Sequence, residues 1–275
     1  MSPRYPLEGV VSWNMNTTCD YRCSYCTQRF ADDRKQWARD LPRFMKAFAA
    51  LPGDWEIKLS GGEPFRHPDF LGAVAALIDG GLRVSVVTNL SASDEVLAEY
   101  ASIVNERPGV FSASLHLEHS SAEDFFSKLA TFEARYAGGI SATIVATRSN
   151  MELVDTLRER WPALKVQPEK QDRQVISYEP EERDRLQSWG GHNGTGWIDP
   201  DFSGRPCWAG ARYFIVDHKG DAYRCYPARR LRAESMGNLL DGSFQIALGA
   251  SVCAYDYCNC TVPQQRGMVS ISRRA

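Results

Sequence analysis

The chain has no run of 18 apolar residues, no marked excess of either charge, and no cysteine between Cys26 and Cys207. The first absence excludes a helix that spans a membrane, and the opening "MSPRYPLEGVVSW" lacks the apolar stretch of a secretion signal. Lys+Arg 32 against Asp+Glu 34 argues against nucleic acid as the main partner, because phosphate backbones select basic surfaces. The expected compartment is the cytoplasm, where thiols stay reduced and eight cysteines imply metal or redox chemistry rather than staples. At 275 residues and 43% apolar composition, a sizeable core forms without disulfides. Internal repeats and low-complexity tracts are also missing.

The gap in the cysteines divides them into two groups, three at 19–26 and five at 207–260. Buried cysteines acting only as small hydrophobes would be spread more evenly.

Between the groups, strand-like runs alternate with helical ones. The strands are expected at 9–15, 55–60, 82–89, 110–117, 140–147 and 164–169, rich in Val, Ile, Leu and Thr and continuous enough to be covered on both faces. Helices are expected at 67–79, stopped by Gly80 and Gly81, after a Ser93 cap, over "SSAEDFFSKLATFEARY", and over "NMELVDTLRERW" before Pro162. Six such strands predict an α/β fold, a partial (β/α)6 TIM-like barrel over 1–170 with right-handed crossovers. A polar connector, a possible pocket cover with one helix at 180–189, follows over 171–204. Residues 205–265 form a small cysteine-rich module with a β-hairpin turning at Lys219–Gly220, and 266–275 are expected to be a frayed tail. Trp189, Trp197 and Trp208 are expected in core packing.

Parallel β/α barrels carry chemistry at the C-terminal ends of their strands. The loop with Cys19, Cys23 and Cys26 follows the first strand and "SGGEP" (60–64) the second. Asn89 closes the third strand; Ser114, His116 and Glu118 lie along the end of the fourth. Thr143 and Asn150 belong to the fifth and its exit, and Glu169 ends the sixth. All fall on one rim. Three thiolates can hold three irons of a cubane and leave the fourth open; zinc with an open position is the rival, but no histidine stands near the trio.

"CDYRCSYC" resembles the C-x3-C-x-aromatic-C signature of the radical S-adenosylmethionine (radical SAM) enzymes, and "SGGEP" is similar to their second motif. The resemblance covers roughly residues 9–170. It implies that Cys19, Cys23 and Cys26 ligate a 4Fe–4S cluster whose open iron chelates S-adenosylmethionine. It further implies that Tyr25 packs near the adenine, Gly61 and Gly62 admit the methionine moiety, and Glu63 turns to the ammonium. Ser114 and Asn150 take the place of the family's polar contacts on strands four and five. The implied chemistry is reductive cleavage to a 5′-deoxyadenosyl radical that abstracts hydrogen from a C–H bond. An external one-electron reductant, flavodoxin- or ferredoxin-like, is the implied partner.

The run from Cys207 to Cys225, C-x12-G-x4-C, resembles the opening of the auxiliary-cluster modules of that family, called SPASM when long and twitch when short. Five cysteines suit one second 4Fe–4S cluster, with Cys207 and Cys225 joined by two of Cys253, Cys258 and Cys260, among which Cys258 is favoured; zinc is again the rival. The spare thiol, with Cys253 favoured, would then donate hydrogen in an epimerisation, whereas an auxiliary cluster would accept an electron in a dehydrogenation. Strand one starts near residue 9, too early for a leader-peptide module, so the expected substrate is small and polar (sugar-, cyclitol- or aminoglycoside-like), with His116 and Glu118, beside His119, reaching it from the rim. A ribosomally made peptide is the alternative, and a non-catalytic iron–sulfur or zinc protein a further one.

Overall fold

The computed structural model describes residues 9–28, 30–171, 174–189, 202–255, 262–263 and 266–269. Six strands, β1 (Gly9–Asn16), β2 (Trp55–Gly61), β3 (Arg83–Thr88), β4 (Pro108–Leu115), β5 (Gly139–Ala146) and β6 (Lys165–Pro168), pair in sequence order, each parallel to the next. Helices α1 (Arg34–Ala49), α2 (Phe70–Asp79), α3 (Asp94–Val104), α4 (Ala122–Glu133) and α5 (Met151–Arg160) connect them. The alternation is that of a partial TIM-like barrel, as the apolar strand runs predicted. Ser93 caps α3 by accepting from the Val96 N–H, and Ser121 caps α4 by accepting from Asp124. Gly81 (φ +79) turns the chain out of α2 in a conformation that suits glycine.

Helix α1 is absent from the sequence expectations. It carries Pro42 in its interior and is dense in charge, and both features mask a helix in the sequence. Its apolar face holds nonetheless: Phe44 and Phe48 pack on Trp13 of β1 at 4.8 and 5.0 Å between ring centroids.

The expected hairpin forms from β10 (Tyr213–Val216) and β11 (Asp221–Tyr223), after the two-residue strands β7 (Lys170–Gln171), β8 (Gln174–Val175) and β9 (Pro206–Cys207). It does not make a sheet of its own. β10 lies parallel to β1, with Val10 opposite Tyr213 and Ser12 opposite Ile215. With β11 and β12 (Ser235–Asn238) it extends the barrel sheet to nine strands. β1 is therefore central and buried along its whole length. Helix α6 (Pro180–Ser188) lies in the connector and α7 (Tyr226–Leu231) follows the hairpin.

Alternation along the strands separates two faces. Val11, Trp13, Met15, Ile57, Leu59, Phe214 and Val216 point to the helices and form the main core. The opposite, concave face carries Ser12, Asn14, Glu56, Lys58, Ser60, Ser85, Ser112, Ser114 and Thr143, many of them hydroxyls. At its β10 side a second core joins Val10, Tyr213 and Ile215 to Cys207, Cys225, Cys253, Ala228 and Met268. The cysteine-rich segment thus packs on the inner face of the barrel.

The start of the presumed tail is not frayed. Arg266 reaches the N-terminal end of β2 and pairs with Glu56 (2.6 Å), whose other oxygen accepts from Ser85 (2.6 Å); Met268 and Val269 are buried. Residues 270–275 lie outside the described residues, as does Trp197. Trp189 is buried, its indole N–H donating to Asp155, whereas Trp208 is 40% exposed and so is not the core residue expected.

Candidate active site

The cysteine loop leaves β1 at Asn16 and is fixed at its base by Asp33. That carboxylate accepts from the Thr17 N–H (2.7 Å), the Thr17 hydroxyl (2.9 Å) and the Thr18 hydroxyl (3.1 Å). Beside it, the β2 exit packs so closely that side chains are excluded. A Cβ on Gly61 would sit 2.1 Å from Asn16 Oδ1, and one on Gly62 2.2 Å from the Thr18 carbonyl. Gly62 N–H donates to Asn16 O (2.9 Å) and Glu63 N–H to Thr18 O (2.8 Å). The sequence places both glycines against a ligand; the structure shows that the cysteine loop itself makes the close approach.

Glu63 is not turned to an open cleft either. It is 1% exposed, one oxygen accepting from Thr88 (2.8 Å) and Phe65 (3.1 Å) and the other from the Asn89 N–H (2.7 Å). Its carboxylate ties the β2 exit to the β3 exit, and burial pushes its pKa up to about 7. Asn89 in turn donates to Asp20 (2.9 Å) and approaches Cys19 Sγ (3.9 Å).

The exit of β4 grips the same loop. Glu118 accepts from the Ser24 N–H (2.8 Å) and hydroxyl (2.5 Å), His119 Nε2 accepts from Arg22 N–H (3.3 Å), and the His119 ring stacks on Tyr21 at 4.4 Å. Tyr25 Oη bonds His116 Nδ1 (2.9 Å) and the rings stack at 5.9 Å. Burial drives the His116 pKa down to about 4, so its imidazole is neutral at pH 7. The segment expected to meet substrate instead holds the cysteine loop, a set of contacts between residues some 90 positions apart that no local pattern announces. Ser114 is half-buried on the concave face with Thr143 as its register partner. Asn150 precedes α5, where its amide accepts from Thr147 N–H (2.9 Å) and donates to Val145 O (3.0 Å), so it shapes the β5 exit.

Burial raises the thiol pKa values of Cys19 and Cys23 to about 11, so their thiolates need a cationic partner. Thiolates on one zinc would stand about 3.8 Å apart, from Zn–S bonds of about 2.3 Å. Among the described residues, the group of metal-ligating side chains within 4.8 Å of one another is Cys23, Glu118 and His119, not the cysteine trio. The last two already accept loop N–H groups, which accounts for their approach to Cys23. The three thiols do not all lie within 4.8 Å of one another, as three ligands of one zinc ion would.

On the inner face of β10, Cys207, Cys225 and Cys253 line one small cavity together with Arg224 and Tyr255. All three cysteines are buried, and none is in a disulfide. Arg224 pairs with Glu234 (2.9 Å), which also accepts from Tyr255 (2.6 Å). Cys253 thus shares its cavity with Cys207 and Cys225. Cys258 and Cys260 lie outside the described residues. No helix among the described residues is long and apolar enough to cross a membrane.

Comparison with known proteins gives the same picture. No curated protein matches the chain. Among solved structures, Streptococcus suis SuiB is similar over 88% of this chain and 67% of its own, with 17% identity and a TM-score of 0.57. The structure of anSMEcpe with bound AdoMet and Cp18Cys peptide covers 86% and 79%, with 15% identity and a TM-score of 0.55. At these identities the likeness shows the fold. The description "Radical SAM superfamily" matches residues 13–160, more than half of the chain and the span that holds the three-cysteine loop and all five β/α crossovers; the chain belongs to the radical SAM superfamily.

Proposed function

We propose that this chain cleaves S-adenosylmethionine reductively and uses the radical to oxidise a small polar substrate by one hydrogen atom and one electron. Family membership implies a 4Fe–4S cluster and S-adenosylmethionine; reduced, the cluster would deliver the electron that breaks the carbon–sulfur bond. Cys19, Cys23 and Cys26 would hold it, on a loop oriented by Asp33, Glu118, His119 and the Asn16–Gly62 backbone pair. Cys207, Cys225 and Cys253, with Cys258 or Cys260, would hold a second cluster as electron acceptor, its negative charge offset by the buried Arg224. Electron loss to that acceptor favours dehydrogenation over epimerisation, because Cys253 is taken up as a ligand.

The observation that carries this reading is a barrel sheet whose strand β1 runs into the Cys19–Cys26 loop and whose inner, hydroxyl-rich wall meets Cys207, Cys225 and Cys253 at β10. Such a wall suits a substrate with several hydrogen-bonding groups. The reduced thiols fit a cytoplasmic setting with an external flavodoxin- or ferredoxin-like donor. The test is anaerobic incubation of iron- and sulfide-loaded protein with S-adenosylmethionine and dithionite. Release of 5′-deoxyadenosine is expected, and its absence from fully loaded protein removes the reading.

A further inference from the structure

Arg229 meets the concave face at Asn14, and among the described residues no carboxylate forms an ion pair with it. It follows Cys225 by one turn of α7, its N–H donating to the Cys225 carbonyl (3.0 Å). The half-buried guanidinium lies against Asn14, a residue only 3% exposed on the inner face of β1. With the Asn14 amide oriented to donate to Ser60 Oγ (2.7 Å), its oxygen accepts from both Arg229 terminal nitrogens, the Nη2 contact at 3.1 Å. Asn14 and Ser60 are register partners, and Ser60 directly precedes Gly61 and Gly62. Asp33 accepts from Thr17 and Thr18, Asp217 from the N–H groups of Lys219 and Asp221, and Glu56 from Arg266 and Ser85.

A guanidinium offers five donors in a planar fork, and one neutral amide oxygen satisfies few of them. A half-buried fork whose one hydrogen-bond partner among the described residues is a neutral amide keeps donors open for an anion. The position is equally informative. Arg229 lies on α7, which is capped by Cys225, and it meets β1 at Asn14, two residues before β1 ends at Asn16.

We propose that Arg229 is the anchor for an anionic group of the substrate, a carboxylate or a phosphate, held bidentately by the fork with Asn14 fixing its plane. This deepens the reading above and rests on it for the word substrate; the anion site itself stands or falls separately.

The test uses cluster-loaded protein saturated with S-adenosylmethionine, with inorganic phosphate and acetate as probes, read by 31P line broadening and by calorimetry. The variants are Arg229→Gln, Arg229→Lys and Asn14→Asp, the last supplying an internal carboxylate to the fork; iron content checks that each is folded. One of the probes is expected to bind wild-type protein at least about tenfold more tightly than Arg229→Gln or Asn14→Asp, with Arg229→Lys between. Tighter phosphate assigns a phosphorylated substrate, and tighter acetate a carboxylated one. Equal binding by wild-type and Arg229→Gln overturns the proposal, as does no binding of either probe to wild-type at tens of millimolar. Loss of S-adenosylmethionine affinity in Arg229→Gln overturns it too, by assigning the fork to the cosubstrate. If the protein makes no 5′-deoxyadenosine yet shows the expected anion pattern, the radical reading fails and the anion site remains.

Discussion

Replacing Glu118 by Ala removes both charge-assisted hydrogen bonds to Ser24, at 2.8 and 2.5 Å, and leaves the middle of the cysteine loop held by its flanks. A hydrogen bond to a charged group contributes about 1.5–3 kcal/mol, and exposure of Glu118 to solvent lowers the sum for this pair to about 2 kcal/mol. That corresponds to a loop opening on the order of 30-fold more often. Hydrogen exchange over residues 17–28 of the reduced, cluster-free protein reads it directly. Glu118→Gln, which keeps one neutral acceptor, falls between. The Ser24 donors also hold the Glu118 carboxyl below its ordinary value of 4.5. A lowered carboxylate pKa stabilises above the unfolded value and loses that contribution as pH falls through the folded one. Wild-type loop protection, corrected for intrinsic exchange, is therefore constant above pH 4.5 and declines below it, while Glu118→Gln shows a smaller decline, the part that Asp20 contributes. Protection unchanged in Glu118→Ala refutes the clamp.

Other variants probe other parts of the account. Cys253→Ala should lower iron and sulfide content by the second cluster alone, leaving 5′-deoxyadenosine formation without substrate intact; full retention of iron assigns Cys253 away from ligation. Gly62→Ala forces a Cβ to 2.2 Å from the Thr18 carbonyl, so denaturant unfolding should show a loss of about 2 kcal/mol together with weaker cluster retention. Arg266→Gln leaves the buried Glu56 carboxylate without its charged partner. With Arg266 itself 39% exposed, the expected destabilisation is about 1–3 kcal/mol, measured by urea unfolding.

The features written locally in the sequence are the ones it made readable. Continuous apolar runs announced β1 to β6, and Ser93 and Gly80–Gly81 announced where helices begin and end. Cysteine spacing announced the site because a cluster needs thiolates on one short loop. Contacts across long stretches of chain were not readable. Nothing in "YFIV" says that it pairs with β1, 200 residues earlier, and so the cysteine-rich segment read as a separate module. Glu118 and His116 looked like substrate ligands because a polar triplet on one strand face has the same appearance whether it meets a ligand or the protein's own loop. The glycines of "SGGEP" are likewise required by Asn16 and Thr18, which lie more than 40 residues away. Arg229, in "CYPARRL", carries no sequence signal at all; only the neighbouring Asn14 distinguishes it from Arg230.

The most direct measurement is 57Fe Mössbauer spectroscopy on a Cys207→Ala/Cys225→Ala/Cys253→Ala protein, which isolates the N-terminal site, with and without S-adenosylmethionine. Cys19, Cys23 and Cys26 should support a 4Fe–4S cluster in which a single iron changes its isomer shift when S-adenosylmethionine is added. A site that holds zinc, or a cluster with four irons all indifferent to S-adenosylmethionine, contradicts the account.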